Sequence, residues 1–285
     1  MRILVTGATG QLGSLVMETL LAAVPGEQLA VSVRDPNKAE RLRARGVDVR
    51  QGDFDRPETL DQAFAGAERM LLISTMGDTP TRIRQHANAV AAAKKAGVRF
   101  IAYTSLARAD RSTLSLAEVH RATEAAIRET GIPYSFLRNN WYLENELNTI
   151  QSVANGAPWV TNTGSGRVGW APRRDYAQAA AAVLLGSGHE NTIYELSGRP
   201  RTHDELAAEL AAVLGREVPV QHVDDAAYAG ILRQAGLPDA AVEMIVTMQQ
   251  AIRAGALDVE SDDLAKLLGR QPTPLRDALQ TLVSR

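Results

Sequence analysis

The chain's first chemically informative stretch is Val5-Thr6-Gly7-Ala8-Thr9-Gly10-Gln11-Leu12-Gly13, three glycines at even spacing. It stands between an apolar run, Ile3-Leu4-Val5, and a helical pattern at Leu12, Val16, Leu20 and Leu21. Strand, turn and helix in that order put free backbone N–H groups at a helix start, where the dipole also favours negative charge. A diphosphate suits such a turn. Gly7 permits the tight bend, Gly10 lets the main chain approach the phosphates with no Cβ in the way, and Gly13 allows the helix to pack closely on the strand. Ala8, Thr9, Gln11 and Leu12 complete the cradle. The spacing is Gly-x-x-Gly-x-x-Gly, not the more usual Gly-x-Gly-x-x-Gly.

The next informative position follows Leu29-Ala30-Val31-Ser32-Val33. In a dinucleotide fold the end of the second strand faces the adenosine ribose, where an acidic residue favours NAD and an Arg accommodates the 2′-phosphate of NADP. Arg34 takes the earlier position and Asp35 follows it, so NADP is the expected coenzyme. Asp35 also reads as a cap for the helix opening at Pro36. Asp53, after the third strand, either meets the adenine amine or caps its own turn. Ser74-Thr75-Met76 ends the fourth strand and lines the expected cofactor trough. The sixth strand opens into Arg138-Asn139-Asn140-Trp141-Tyr142-Leu143, where two amides and two aromatics suit a nicotinamide and a flat substrate. Arg174 is a further candidate for reaching cofactor or substrate. His86 reads as a packed or surface histidine, because no partner His lies nearby.

Taken with Phe100-Ile101-Ala102-Tyr103-Thr104-Ser105-Leu106, Gly164-Ser165-Gly166 and Arg174-Asp175-Tyr176-Ala177, these stretches resemble the NmrA-like atypical short-chain dehydrogenases/reductases almost end to end. Within that group the match is closest to the NADPH-dependent quinone oxidoreductase branch, with similarity also to triphenylmethane dye reductases. The resemblance implies a Rossmann domain, NADPH and hydride transfer to quinones. It also implies that Ser105 stands where a short-chain reductase places its catalytic Ser. His120 stands where the Lys of a Tyr-x-x-x-Lys pair would be, and Leu116 where the Tyr would be. No Tyr-x-x-x-Lys occurs in the chain. Asn140 departs from the branch, which usually has Gly there, and a bulkier residue narrows the nicotinamide side.

The missing pair has a chemical rationale. Hydride transfer to a quinone leaves a hydroquinone anion whose new aromatic ring offsets the charge, whereas ketone reduction leaves a far stronger base. Positioning then does most of the work. Asn140, Trp141 and Tyr142 are expected near the acceptor, with Ser105 and His120 as hydrogen-bond partners and no obligate acid. The alternatives are reduction of triphenylmethane dyes or other planar electrophiles, and a non-enzymatic NADP(H)-sensing regulator.

The elements that must position these residues alternate strand and helix over the first two thirds of the chain. The expectation is an α/β fold, a Rossmann-type doubly wound parallel sheet with a smaller, mainly helical C-terminal domain. Residues 1–197 form the NADP-binding domain, with a loop insertion around 156–170 that offers Trp159, Arg167 and Trp170 as walls. Residues 198–285 form the substrate-side domain, opened by the capping box Thr202-x-x-Glu205. Asp175 is expected to cap a helix over 176–186, and Met244 and Met248 to pack in the core. At 285 residues and 45% hydrophobic content a full core is within reach. A formal net charge of −2 recruits neither nucleic acid nor a membrane surface. Cys is absent, which excludes disulfides and thiolate chemistry, and the five His show no metal-ligand spacing. With no secretory signal core and no apolar run of bilayer length, a soluble, cytoplasmic protein is expected.

Overall fold

Apolar runs too short for helices, buried on both faces, become the centre of a parallel sheet. The computed structural model describes residues 1–284; Arg285, the last residue of the expected C-terminal unit, lies outside the described residues. Its strands are β1 (Ile3–Thr6), β2 (Leu29–Val33), β3 (Asp48–Gln51), β4 (Arg69–Leu72), β5 (Phe100–Leu106), β6 (Tyr134–Asn139), β7 (Trp159–Thr161), β8 (Thr192–Leu196) and β9 (Val220–His222). Seven of them form one parallel sheet in the order β3-β2-β1-β4-β5-β6-β8. The order reverses between β1 and β4, which opens a crevice at their carboxyl ends.

The crossovers place helices on both faces. On one, α1 (Gln11–Ala23) packs against α7 (Arg173–Leu185), and the sheet-facing core holds Val16, Leu20, Val31, Ala102 and Leu184. On the other, α3 (Leu60–Phe64), α4 (Thr79–Lys95) and α5 (Ala117–Thr130) cover Leu4, Met70, Ile101 and Phe136. The short α2 (Glu40–Arg43) leads into β3. This is the doubly wound Rossmann-type fold that the alternation of elements implies.

The helical C-terminal region comprises α8 (His203–Leu214), α9 (Asp225–Gln234), α10 (Asp239–Arg253), α11 (Asp263–Leu268) and α12 (Leu275–Val283). Thr202 and Glu205 make both bonds of the capping box at α8. A third core joins α6 (Leu147–Ala154) and Leu143, Trp159 and Trp170 to Leu206, Ile252 and Leu279. Within 156–170, expected to be a loop insertion, β7 pairs in parallel with β9, Trp159 lying opposite Val220. Trp159 and Trp170 are each 1% exposed and flank His203, so they are core residues and not walls of a cleft. Arg167 pairs with Asp258 and Glu260. Met244, expected in the core, is exposed, because α10 buries only Val242 and Ile252.

Asp175 does not cap a helix. Helix α7 begins two residues earlier with Pro172 as its cap, and Asp175 lies in the first turn, buried. Its carboxylate accepts from Arg270 Nη2 at 2.7 Å, Thr273 N at 2.7 Å and Thr273 Oγ1 at 3.0 Å. These bonds tie the link between α11 and α12 back to the sheet layer.

Candidate active site

Helix α1 starts at Gln11 with Gly10 as its cap, and neither a capping side chain nor an acidic residue occupies its first turn. Its first amides are thereby left for an anion. Gly7 has φ +61, the left-handed conformation that the bend requires. A Cβ on Gly13 would lie 2.1 Å from the Gly7 carbonyl oxygen, so only glycine lets α1 sit this close to the turn. Gly10 is looser, its Cβ position being 3.2 Å from the same oxygen. Thr9, Gly10 and Gln11 are exposed at the turn, while Ala8 and Leu12 anchor it in the core.

Arg34 projects from the end of β2, exposed, and has no carboxylate partner among the described residues. Asp35 accepts from Asn37 N at 3.1 Å and so serves as the cap of the next turn. Asp53 likewise accepts from Asp55 N within its own turn. A guanidinium free to meet a phosphate therefore stands beside a carboxylate already occupied.

The stretch after β4 is pinned amide by amide. Ile73 N donates to Thr6 Oγ1 at 3.0 Å, Ser74 N to Thr104 Oγ1 at 2.9 Å, and Thr75 N to His86 Nε2 at 2.9 Å. His86 therefore carries its proton on Nδ1, which reaches Thr123 Oγ1 at 2.8 Å. Burial, with the positive charge of Arg82 second, lowers its pKa to about 4, so it is neutral. Beyond the pinned residues Met76 is almost fully exposed.

His120 Nδ1 lies 2.8 Å from Tyr103 Oη, and burial, then Arg82 and His86, lowers its pKa to about 3. Burial raises the Tyr103 phenol well above its usual range. Neither group donates a proton readily at neutral pH. Ser105 Oγ donates to Glu124 Oε1 at 2.7 Å. That carboxylate also accepts from Arg138 Nε and Nη2, each at 2.9 Å, while Arg138 Nη1 reaches Asp110 and Glu195. Burial alone would lower the Arg138 pKa, but Glu124 and Glu195 more than offset this and hold it charged. Ser105 and Arg138 thus belong to one buried ionic cluster across β5, β6, β8 and α5, and the Arg138 guanidinium is turned to these carboxylates, with Nε, both hydrogens of Nη1 and one of Nη2 engaged. Arg174 forms an exposed pair with Glu18.

At the end of β6, Asn139 Nδ2 donates to Tyr142 Oη at 3.0 Å, and the Tyr142 ring meets Tyr176 edge-on. Asn140 Nδ2 is bound to Ser197 Oγ and to the Leu257 carbonyl, each at 3.0 Å, and the side chain is 4% exposed. The amide expected to narrow the nicotinamide pocket thus fills the seam between β6, β8 and the residues after α10. The Oδ1 atoms of Asn139 and Asn140 are buried without a donor. Trp141 Nε1 and Trp170 Nε1 both donate to Glu146 Oε1 at 3.2 Å, and Leu143 is buried in the third core. Glu146 and Arg82 escaped the sequence reading because a lone charge on a helix carries no spacing signal, whereas His86 is the packed histidine expected, 1% exposed. A groove of about 750 Å³ beside Arg199, Glu260 and Arg276 lies elsewhere and includes neither the glycine turn nor residues 74–76.

A nicotinamide dinucleotide fits these residues. The glycine cradle would hold a diphosphate, and Arg34, exposed at the end of β2, a ribose phosphate. Among the described residues no cluster of His, Asp and Glu could hold a metal ion.

Fold and site together define a reductase-type Rossmann protein, and the chain belongs to the NmrA-like family, whose model matches residues 1–275. It is 42% identical to Quinone oxidoreductase 2 of Escherichia coli over 98% of both chains. The NADPH complex of the quinone oxidoreductase from Escherichia coli superposes with a TM-score of 0.94, at 41% identity over 99% of each chain. The NADP(H) complex of the Citrobacter sp. triphenylmethane reductase superposes at 0.95, with 44% identity, over 99% of this chain and all of that one.

Proposed function

We propose that the chain is an NADPH-dependent oxidoreductase that reduces quinones by direct hydride transfer. The observation that carries this reading is the pairing of an uncapped helix start at Gly10 with an unpartnered Arg34 at the end of β2. The similarity to Quinone oxidoreductase 2 supports it. NADPH, when bound, supplies the hydride. Gly7 to Gly13 hold the diphosphate and Arg34 the ribose phosphate. The pinned backbone of residues 73–75 and the Asn139–Tyr142 pair wall the nicotinamide side. His120, neutral and bonded to Tyr103, gives shape and polarity instead of acting as an acid. Trp141 and Tyr142 face a flat acceptor. Dependence on NADPH goes with a cytoplasmic location.

The test is steady-state NADPH oxidation against a panel of quinones and triphenylmethane dyes. Faster turnover of quinones supports the reading. The Citrobacter relative favours dyes as the second substrate class, and faster dye turnover would move the assignment there. Tight NADPH binding with no oxidation by any acceptor would make the chain a sensor.

A further inference from the structure

Arg82 lies in the first turns of α4, 6% exposed. Its Nε is buried without an acceptor, and among the described residues no carboxylate or carbonyl receives a bond from its guanidinium. Two other arginines drawn into the protein are paired: Arg138 has three carboxylates, and Arg50 has Asp48 and two carbonyls. Arg69, whose Nε is likewise buried without an acceptor, still has the Val183 carbonyl and the face of Phe100, and among the described residues Arg82 has no such contact. A buried cation without a partner is costly, and a counterion arriving from outside would offset that cost.

Geometry says where that counterion would sit. The Arg82 stem passes beneath Gly77, directly after the pinned residues 73–75, at the carboxyl end of β4. His86, one turn further along α4, stands with Tyr103 and His120 in the layer between α4, α5 and the sheet. Tyr103 lies between the two histidines, its ring 5.8 Å from each. None of these neighbours is an anion at neutral pH, so none offsets the guanidinium. On the proposed reading residues 73–75 wall the nicotinamide side, so the reacting end of the acceptor belongs next to this stretch.

We propose that Arg82 is an anion-binding residue of the cleft, whose guanidinium receives the aryl oxyanion left on a quinone by hydride transfer. The inference rests on the quinone reading. Hydride transfer adds one hydrogen and two electrons to the quinone, which is left with a single negative charge on oxygen, while the coenzyme is oxidised. Arg82 holds that charge in a water-poor setting until a proton from bulk water completes the hydroquinone. The cation thus replaces the electrostatic half of the missing Tyr and Lys.

The test uses the NADP-loaded protein and two ligands of one shape, a hydroxynaphthoquinone ionised at neutral pH and its uncharged methyl ether, with binding read by tryptophan quenching. Wild-type protein is expected to bind the ionised compound about ten- to a hundredfold more tightly, as one charge-assisted bond provides. Arg82→Gln and Arg82→Met should erase that preference and keep affinity for the ether, and Arg82→Lys should keep part of it. The Arg82→Met protein should also melt above wild type, since an uncompensated charge leaves the interior. An unchanged preference in the Gln and Met variants, or none in wild type, overturns the proposal. If the Gln and Met variants fail to fold, Arg82→Lys carries the comparison, and a preference undiminished there overturns the proposal. NADPH oxidation by the uncharged ether, followed in the same preparation, reports separately on the quinone reading.

Discussion

Tyr103 Oη and His120 Nδ1 lie 2.8 Å apart between β5 and α5, both side chains buried. A histidine held neutral by burial down to about pH 3 cannot serve as a general acid near neutrality. His120→Ala is therefore expected to lower kcat by less than about a hundredfold, below the usual worth of a general acid. The profile of kcat against pH should show no break near the ordinary histidine value. A larger loss, together with such a break that vanishes in the variant, would make His120 the acid.

The same burial makes stability sensitive to acid. His86 and His203 have folded-state values of about 4 and His120 of about 3, against 6.5 for a free histidine. Between these values the unfolded chain takes up protons that the folded one refuses. Stability is therefore retained above about 6.5 and falls as pH drops toward the folded values, each histidine adding up to about 1.4 kcal/mol per pH unit. Melting temperatures should decline steadily from about pH 7 to about pH 5. A flat profile there would mean that these side chains take up protons without unfolding.

Two glycines of the turn separate folding from binding. Gly13→Ala drives a Cβ to 2.1 Å from the Gly7 carbonyl oxygen, and overpacking against backbone costs about 1–3 kcal/mol or more. Gly10→Ala, at 3.2 Å, should melt nearly as wild type does while losing affinity for NADPH, because its methyl faces the diphosphate. Calorimetry and coenzyme titration on the pair check this. Equal loss of stability in both would remove the distinction.

Arg34→Ala should weaken NADPH by about ten- to a hundredfold and NADH little, the worth of one charge-assisted bond. Equal effects on the two coenzymes would mean that the side chain only decorates the surface.

Arg138→Met strips Glu124, 2% exposed, of its main partner and should cost about 3–5 kcal/mol. Adding Glu124→Leu should restore much of the loss, since the charge left behind is then gone. Denaturant midpoints for the single and double variants decide this. A single variant as stable as wild type would show that Ser105 and Arg128 suffice for Glu124.

Strand after strand of the main sheet was legible because runs such as Ile3–Val5 and Phe100–Tyr103 are apolar without interruption, as burial on both faces requires. The glycine turn was legible for a local reason, since turn, helix start and close packing all lie within seven residues. What escaped was non-local. Asp175 looks like a cap until Arg270 and Thr273 are brought to it, and Asn140 looks like a pocket residue until Leu257 reaches its amide. Arg138 resembled a cofactor ligand because nothing near it in sequence foretells Glu124, Asp110 and Glu195 converging on it. Trp159 pairs with Val220 through a strand of three residues, too short for any alternation to show.

The carboxylate of Asp175 makes the far end of the polypeptide answerable for its beginning. A chain stopped after Leu268 would forfeit Arg270 and Thr273 and strand a charge under α7, the very helix on which α1 rests. Shortening the protein by these seventeen residues at its tail would thus loosen the coenzyme's grip at the opposite terminus, without touching a single atom that meets it.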